Sequence, residues 1–293
     1  MIILTIIYNF CIPNTKGKFF NRMGDSMLTV GLIGYGAIGK DVAAYIKEKR
    51  AGTVKLAAIL VRDKQKYQNL DNASLFMDNE NEFFQAGLDI IVENAGHHAV
   101  FQYAEKVLSS GSHFIVVSVG AFSNTDLFHK TKEIAKQNNR RLIIPSAAIG
   151  GLDRISAASV HGLEKVTLIT KKPPKAWKGT PSEQIVDLDA LQSPFLLFEG
   201  TAKESAYLFP ESTNVSAALG IAGLGMEQTN VKVYVDPSII ANTHKIVAEG
   251  FFGKMEINIE NTPSADNPKT GYIVAMSVCK TLNNLTSHLI VGI

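Results

Sequence analysis

The feature that most constrains this fold is a glycine-rich turn between an apolar strand and an amphipathic helix. The segment G-Y-G-A-I-G at residues 34–39 fits the pattern G-x-G-x-x-G, follows the apolar run Leu28–Ile33 and opens a predicted helix at Ile38–Lys49. This order is typical of the first strand–turn–helix unit of a Rossmann domain. We therefore predict an α/β fold with a doubly wound parallel sheet.

The glycines of this turn predict a dinucleotide site. Gly34 permits the tight turn, Gly36 lets the backbone approach a pyrophosphate, and Gly39 lets the helix pack closely on the sheet. Ala37 and Ile38 open the helix, and a helix N-terminus with its free N–H groups favours phosphate. We expect these five residues to bind NAD or NADP, and the absence of a G-x-x-x-x-G-K-[ST] segment disfavours a P-loop phosphotransferase.

Apolar strands alternate with helices as far as residue 145, which predicts a parallel sheet covered on both faces. The remaining predicted strands of this part are Val54–Val61, Leu88–Val92, Phe114–Val117 and Leu142–Ile144, and the predicted helices are Ala99–Leu108 and Asn124–Gln137.

The pattern changes after Pro145 to runs of neighbouring strands, which predict a second, α+β domain with a mixed or antiparallel sheet. The chain then divides into an N-terminal extension at 1–26, a Rossmann domain at 27–145 completed by a C-terminal helix at 266–293, and the α+β domain at 146–265. The predicted strands of the α+β domain are Lys165–Thr170, Phe195–Thr201, Val231–Val235, Lys245–Phe251 and Lys254–Ile259, and its predicted helices are Leu152–Val160 and Val215–Leu224. The C-terminal helix is predicted at Pro268–Leu289.

The end of the second predicted strand bears on the choice between NAD and NADP. Arg62 comes first there and Asp63 follows. An acidic residue at this position binds the ribose hydroxyls of NAD, whereas an arginine accommodates the 2′-phosphate of NADP. We predict that Arg62 binds the cofactor and that the protein uses NADP or both cofactors; a solvated surface arginine is the alternative.

Charge and cysteine content exclude several classes of partner. The net charge of +2 leaves no general basic face for nucleic acid. Cys11 and Cys279 form no paired motif, so we expect neither a disulfide nor a metal site. We also expect a reducing, cytoplasmic location.

The apolar run Met1–Phe10 is too short to span a bilayer, and basic residues follow it, whereas in a secretory signal they precede the apolar run. We expect an extension without catalytic importance and no membrane partner, with weak membrane anchoring as the alternative.

A polar segment, E-N-A-G-H-H at 93–98, follows a predicted strand at the edge where a cofactor crevice forms. For His97 and His98 we favour helix capping and solvent contact. Adjacent side chains do not share one face, so a chelating pair is disfavoured.

The chain resembles the L-aspartate dehydrogenase family over nearly all of residues 27–293. The segments that carry the resemblance are G-L-I-G-Y-G-A-I-G at 31–39, S-V-G-A at 118–121, S-A-A-I-G-G-L-D at 146–153, F-P-E-S-T-N-V-S-A-A-L at 209–219 and D-P-S-I-I-A-N-T-H-K-I at 236–246.

The resemblance implies roles for three residues. His244 matches the catalytic histidine of the family, and Asn214 and Ala148 match residues that contact the cofactor. Histidine suits the proton transfers that accompany amine oxidation, because its pKa lies near neutral pH; a histidine satisfied in the core or at the surface is the alternative. Ala147 stands where the family commonly has glycine, which alone adopts positive φ freely.

The implied activity is oxidation of L-aspartate by NAD or NADP to iminoaspartate, then oxaloacetate and ammonia, in a homodimer that joins the sheets of the second domain. The imine would feed NAD biosynthesis. A substrate with two carboxylates needs converging donors. Lys171 and Asn242 are the predicted substrate residues, with Lys172 and Lys175 as further candidates; a solvated charge run or a turn cap is the alternative. The rival functions are another two-domain amino or keto acid dehydrogenase and a regulatory protein that binds NAD(P) without turnover.

Overall fold

The computed structural model describes residues 27–209, 213–265, 267 and 270–292. The extension predicted at 1–26, the start of the predicted C-terminal helix at Pro268 and Cys11 lie outside these ranges. Within them, no helix combines the length and the apolar character that crossing a bilayer requires.

The first part of the chain forms a six-stranded sheet in the order β3-β2-β1-β4-β5-β6, and every pair in it is parallel. This is the Rossmann strand order, and the predicted fold class is confirmed. The strands are β1 (Leu28–Ile33), β2 (Val54–Leu60), β3 (Phe76–Met77), β4 (Ile90–Glu93), β5 (His113–Val116) and β6 (Leu142–Ile143).

Helices cover both faces of this sheet, so its central strands are buried throughout. The strand order reverses between β1 and β4, and a crevice for a ligand forms at the carboxyl ends of the strands at such a reversal. The helices are α1 (Ala37–Lys47), α2 (Glu80–Gln85), α3 (His97–Ser109) and α4 (Thr125–Gln137).

The second part forms a five-stranded mixed sheet in the order β11-β10-β7-β9-β8, in which only the β7–β9 pair is parallel. Its strands are β7 (Leu163–Lys172), β8 (Phe195–Thr201), β9 (Asn230–Val235), β10 (Thr243–Gly250) and β11 (Gly253–Glu260); its helices are α5 (Leu152–Ser159), α6 (Ala202–Leu208) and α7 (Thr213–Ala222).

Buried and less buried residues alternate along these strands, so the second sheet has one apolar face. Leu168 in β7 and Ile246 in β10 are cross-strand partners and are almost completely buried. They share a core with Ile155 of α5 and Leu219 of α7. The opposite face carries half-buried residues such as Ile169.

The C-terminal helix α8 (Ile273–Thr286) returns to the first part of the chain and packs against α1. Its Val278 and Leu282 are fully buried in one cluster with Val42. The helix is shorter than the predicted Pro268–Leu289, and a β-bridge between Pro263 and Gly271 precedes it.

Contact between the two parts is made mainly by α7, which lies against the short 3₁₀ turn Val119–Ser123 that follows β5. This turn is buried over Val119–Phe122. The second sheet is thereby fixed in front of the carboxyl ends of the Rossmann strands.

Candidate active site

The glycine-rich turn has the geometry that a dinucleotide requires. Gly34 has a φ of +94°, which only glycine adopts readily. A Cβ on Gly39 would lie 2.7 Å from the carbonyl oxygen of Gly34, so a larger residue would push α1 away from the turn. A Cβ on Gly36 would meet nothing within 4 Å, because this residue opens onto a groove. The residues present therefore fit a bound pyrophosphate at the start of α1.

That groove has a volume of about 720 Å³ and is lined by Gly34, Gly36 and Arg62. Asp63 also lines it, but its carboxylate accepts a hydrogen bond from the backbone N–H of Gln65 at 3.0 Å and so caps a short 3₁₀ helix. Arg62 is exposed and lines this groove.

A second, smaller cavity of about 120 Å³ lies beyond the first turn of α1, between the two parts of the chain. It brings together five residues predicted from the sequence, one further candidate and one residue that was not predicted. The predicted residues are Ile38, Ala148, Asn214, Asn242 and His244, the further candidate is Lys172, and the residue that was not predicted is Asn261.

His244 is positioned by a cross-strand pair. It lies in β10 opposite Thr170 in β7, and the two side chains share a hydrogen bond of 3.0 Å between Nδ1 and Oγ1. Only 6% of His244 is exposed, on the wall of the cavity. Burial, assisted by the nearby positive charge of Lys172, lowers the pKa of His244 to about 4. The imidazole is therefore neutral at physiological pH, and a neutral imidazole can accept a proton.

The structure distinguishes between the candidate lysines. Lys172 lies on the same face of β7 as Thr170, lines the cavity and is 8% exposed, with Nζ 5.0 Å from the centre of the Trp177 ring. Lys171 points to the other face and forms an ion pair of 3.0 Å with Asp236. Lys175 is exposed outside the cavity. The geometry thus favours Lys172 over the predicted Lys171 as a ligand for a carboxylate in this cavity.

Asp236, from the D-P-S segment, keeps Lys171 in that position. Its carboxylate is 1% exposed and accepts hydrogen bonds from the backbone N–H of Ser238 at 3.0 Å and from the Ser238 hydroxyl. Burial by itself would raise the pKa of Asp236, but these bonds and the Lys171 ammonium outweigh it and lower the pKa below its usual range. The D-P-S segment thus has a structural role beside the site, because it holds the Lys171 side chain in place.

The S-A-A-I-G-G turn forms one wall of the cavity and is held by hydrogen bonds to Ser277 and Asn261. The Ser277 hydroxyl in α8 accepts the N–H of Ala147 at 2.9 Å, and the Asn261 amide donates to the carbonyl of Ala148 at 2.8 Å. Ala147 has a φ of +49°, so this alanine occupies the left-handed region that the glycine of related sequences would adopt without strain.

Replacing Ala147 with glycine is expected to stabilise the protein by about 1 kcal/mol, because the left-handed conformation costs alanine about that much relative to glycine. The measurement is the midpoint of urea unfolding for both proteins. Ala157→Gly, in the interior of α5, is the control and should destabilise by about 1 kcal/mol. A loss of stability in Ala147→Gly would show that the turn is not strained.

Glu93 ties together the loops that follow β4 and β5. This buried carboxyl group accepts hydrogen bonds from the N–H groups of Ala95, Gly96 and Ser118 and from the Ser118 hydroxyl, at 2.7 to 2.9 Å. Burial raises the pKa of Glu93 above its usual value, against the opposing effect of these donors. The two loops are therefore fixed to each other where they approach the cavity.

The structure corrects the interpretation of the adjacent histidines. His97 is half-buried and its Nε2 lies 2.9 Å from Oδ1 of Asn214, in the other part of the chain. His98 is exposed and lines the large groove. Helix capping and solvent contact therefore do not describe His97, whose partner is more than a hundred residues away and leaves no local signal in the sequence.

A Rossmann sheet with a dinucleotide groove, joined to a mixed-sheet part with which it lines a second cavity, defines the class of two-domain NAD(P)-dependent oxidoreductases. The family model described as "Aspartate dehydrogenase, C-terminal" matches residues 153–285, and that described as "Homoserine dehydrogenase, NAD binding domain" matches residues 34–145.

Relatives named L-aspartate dehydrogenase match almost the whole chain. The protein of Brucella anthropi is 37% identical, over 90% of this chain and 98% of its own length; that of Methanosarcina acetivorans is 35% identical, over 91% and 100%. The crystal structure of aspartate dehydrogenase from Thermotoga maritima superimposes with a TM-score of 0.73 at 26% identity, covering 91% of this chain and all of that one. The chain belongs to the L-aspartate dehydrogenase family.

Proposed function

We propose that the protein catalyses the oxidative deamination of L-aspartate with NAD+ or NADP+. The substrate loses a hydride from Cα and a proton from its amino group, which gives iminoaspartate and the reduced cofactor. Water then adds to the imine, and oxaloacetate and ammonia leave. The observation that carries this proposal is the neutral imidazole of His244 beside the buried cation of Lys172, in a cavity that both parts of the chain line.

The cofactor supplies the hydride acceptor. The glycine-rich turn, with Gly34, Gly36 and Gly39, would hold its pyrophosphate at the start of α1, and Arg62 would hold the 2′-phosphate of NADP. Ala148 and Asn214 line the smaller cavity and would contact its nicotinamide end.

Lys172 binds a carboxylate of the substrate. It is the lysine that lines this cavity among the described residues, and an ammonium group with little access to water attracts a carboxylate more strongly than an exposed one. Asn242 lies two residues before His244 and lines the same cavity, where its amide can hold the second carboxylate.

His244 accepts the proton that the amino group releases as the imine forms and returns it to the imine nitrogen. The imidazole, neutral again, then takes a proton from the attacking water. The Thr170 hydroxyl at Nδ1 fixes the ring and leaves Nε2 for the reacting groups. A bound dicarboxylate offsets the charge of Lys172, so the pKa of His244 rises from about 4 when the substrate enters. The histidine thus becomes a stronger base when the substrate is present.

The direct test is the formation of reduced nicotinamide, followed by absorbance, with L-aspartate and either NAD+ or NADP+. We expect turnover with L-aspartate and little with L-glutamate, L-alanine or L-malate. Turnover of another amino or keto acid in place of aspartate would assign the protein to a different dehydrogenase. Cofactor binding without turnover of any substrate in this panel would favour a regulatory protein.

We propose that Arg62 confers use of NADP, because its guanidinium is exposed to the groove while the carboxylate of Asp63 is engaged as a helix cap. Arg62→Gln is expected to lower kcat/KM for NADP+ about 10- to 100-fold, which corresponds to the loss of one charge-assisted hydrogen bond. The kcat/KM for NAD+ should stay nearly unchanged. Arg50→Gln, which removes an exposed charge outside the groove, is the matched control. Equal losses with both cofactors would contradict this role.

We further propose a cytoplasmic homodimer in which the face of the second sheet opposite its buried core meets its copy, and an imine product that feeds NAD biosynthesis. The support for the dimer is that Ile169, Tyr234 and Val247 lie half-buried on this face. Light scattering should give twice the chain mass, and Val247→Glu should reduce it to that of one chain.

A further inference from the structure

The side-chain oxygen of Asn214 receives two donors from the Rossmann part of the chain. The backbone N–H of Gly120 lies 2.9 Å from Oδ1, and Nε2 of His97 lies 2.9 Å from the same atom. A backbone N–H can only donate, so the atom it meets is the amide oxygen and not the nitrogen. It follows that His97 also donates, and that its neutral form carries the hydrogen on Nε2.

This arrangement fixes the direction of the Asn214 amide group. Both lone-pair positions of Oδ1 are used by donors from the Rossmann part, while Asn214 itself lines the cavity that holds His244. The Nδ2 group has no acceptor among the described residues. Asn214 is therefore set to donate a hydrogen bond to a ligand and cannot turn its oxygen to the ligand without losing both bonds.

The close approach of the three residues depends on Gly120. A Cβ at this position would lie 2.6 Å from Nε2 of His97 and 2.7 Å from Cγ2 of Thr213, the residue before Asn214. No side chain fits between the turn and the start of α7. The contact is thus built into the packing of the two parts of the chain.

We infer that His97 is a positioning residue, which orients Asn214 so that its amide donates to the carboxamide oxygen of the nicotinamide. This inference rests on the proposed cofactor role of Asn214 and adds a residue that acts through it. The acceptor is an oxygen with a free lone pair, and a carboxylate oxygen of the substrate offers the same chemistry. Cofactor binding without substrate and KM for aspartate, measured separately, distinguish the nicotinamide from the substrate as the acceptor.

The test compares His97→Leu, which cannot donate, with His97→Gln, whose amide nitrogen reaches about as far as Nε2. Dissociation constants for NADH and NADPH are measured by fluorescence without substrate, and KM for aspartate and for the cofactor by turnover. Loss of one oriented neutral hydrogen bond is expected to weaken cofactor binding about fivefold in His97→Leu. His97→Gln should restore it, and both variants should unfold at the wild-type temperature. His129→Leu, at an exposed position on α4, is the control.

Wild-type cofactor affinity in His97→Leu together with an unchanged KM for aspartate, or equal weakening in both variants, would overturn the inference. A rise confined to KM for aspartate would support it with the substrate carboxylate as the acceptor. If His97→Leu does not fold, His97→Asn replaces it, because its amide is polar but too short to reach Asn214. Since cofactor binding is measured without substrate, a wild-type protein that binds NADPH but does not oxidise aspartate would contradict the proposed function and leave this test intact.

Discussion

Replacing His244 with alanine is expected to lower kcat for aspartate about 10²- to 10⁴-fold, the contribution of a positioned general base. The physical reason is that no other imidazole among the described residues lines the cavity, so the protons of imine formation and hydrolysis lose their acceptor. The dissociation constant for NADPH should stay within about twofold of the wild-type value, since a proton acceptor acts on the transition state and not on cofactor binding.

Thr170→Val gives the matched control for this prediction. It keeps the shape of the Thr170 side chain but removes the hydroxyl that holds Nδ1 of His244. We expect an intermediate loss of kcat, about tenfold, because the imidazole remains but is less well oriented. Full activity in His244→Ala, in protein that still binds NADPH, would remove His244 from the reaction.

Replacing Lys172 with methionine is expected to lower kcat/KM for aspartate about 30- to 1,000-fold, the cost of leaving a bound charge without its buried partner. Most of the loss should appear in KM, because a cation that binds a carboxylate acts in the ground state as well as in the transition state. The measurement is steady-state kinetics at saturating cofactor.

The matched comparison is Lys171→Met. Lys171 is adjacent in sequence but lies on the other face of β7. This variant leaves Asp236 buried without its cation, so we expect lower stability and a nearly unchanged KM for aspartate. A large rise of KM in Lys171→Met, with none in Lys172→Met, would reverse the assignment.

Lys172→Met should also change the pH profile of kcat/KM, which reports the free enzyme. His244 must be neutral to accept a proton, and its pKa is lowered to about 4, so activity falls as the pH drops through this value. Loss of the Lys172 charge removes one of the two causes that lower the pKa, and the acidic limb should move to higher pH. Because burial remains, the limb should stay below the ordinary histidine value of about 6.5. A limb that does not move would show that Lys172 does not act on His244.

Most of the fold is predictable because its signals are local. The glycine-rich turn and the fully apolar strands indicate a doubly wound parallel sheet, and this prediction is confirmed. The edge strand β3 has two residues, which is too short for a strand pattern of apolar residues to be recognised in the sequence. Helix α6 was not predicted although its capping box, with Thr201 and Glu204, is a recognisable T-x-x-E signal.

The site is less predictable because it depends on register and on distant contacts. The family motifs indicate His244, Asn214 and Ala148, and the structure places them around one cavity. The choice between Lys171 and Lys172 requires knowing that Thr170 pairs with His244, since strand faces alternate with each residue. Sequence patterns do not give this register, because it is fixed by the packing of whole strands.

The most direct test of the account is a crystal structure of the protein with NADP+ and succinate, a dicarboxylate that lacks the amino group and cannot be oxidised. We predict that the nicotinamide ring enters the cavity between Asn214 and His244. Nε2 of His244 should face the bound dicarboxylate at about 3 to 3.5 Å, near the carbon that corresponds to Cα. A nicotinamide ring bound elsewhere, or a His244 side chain turned away from both ligands in the closed complex, would contradict it.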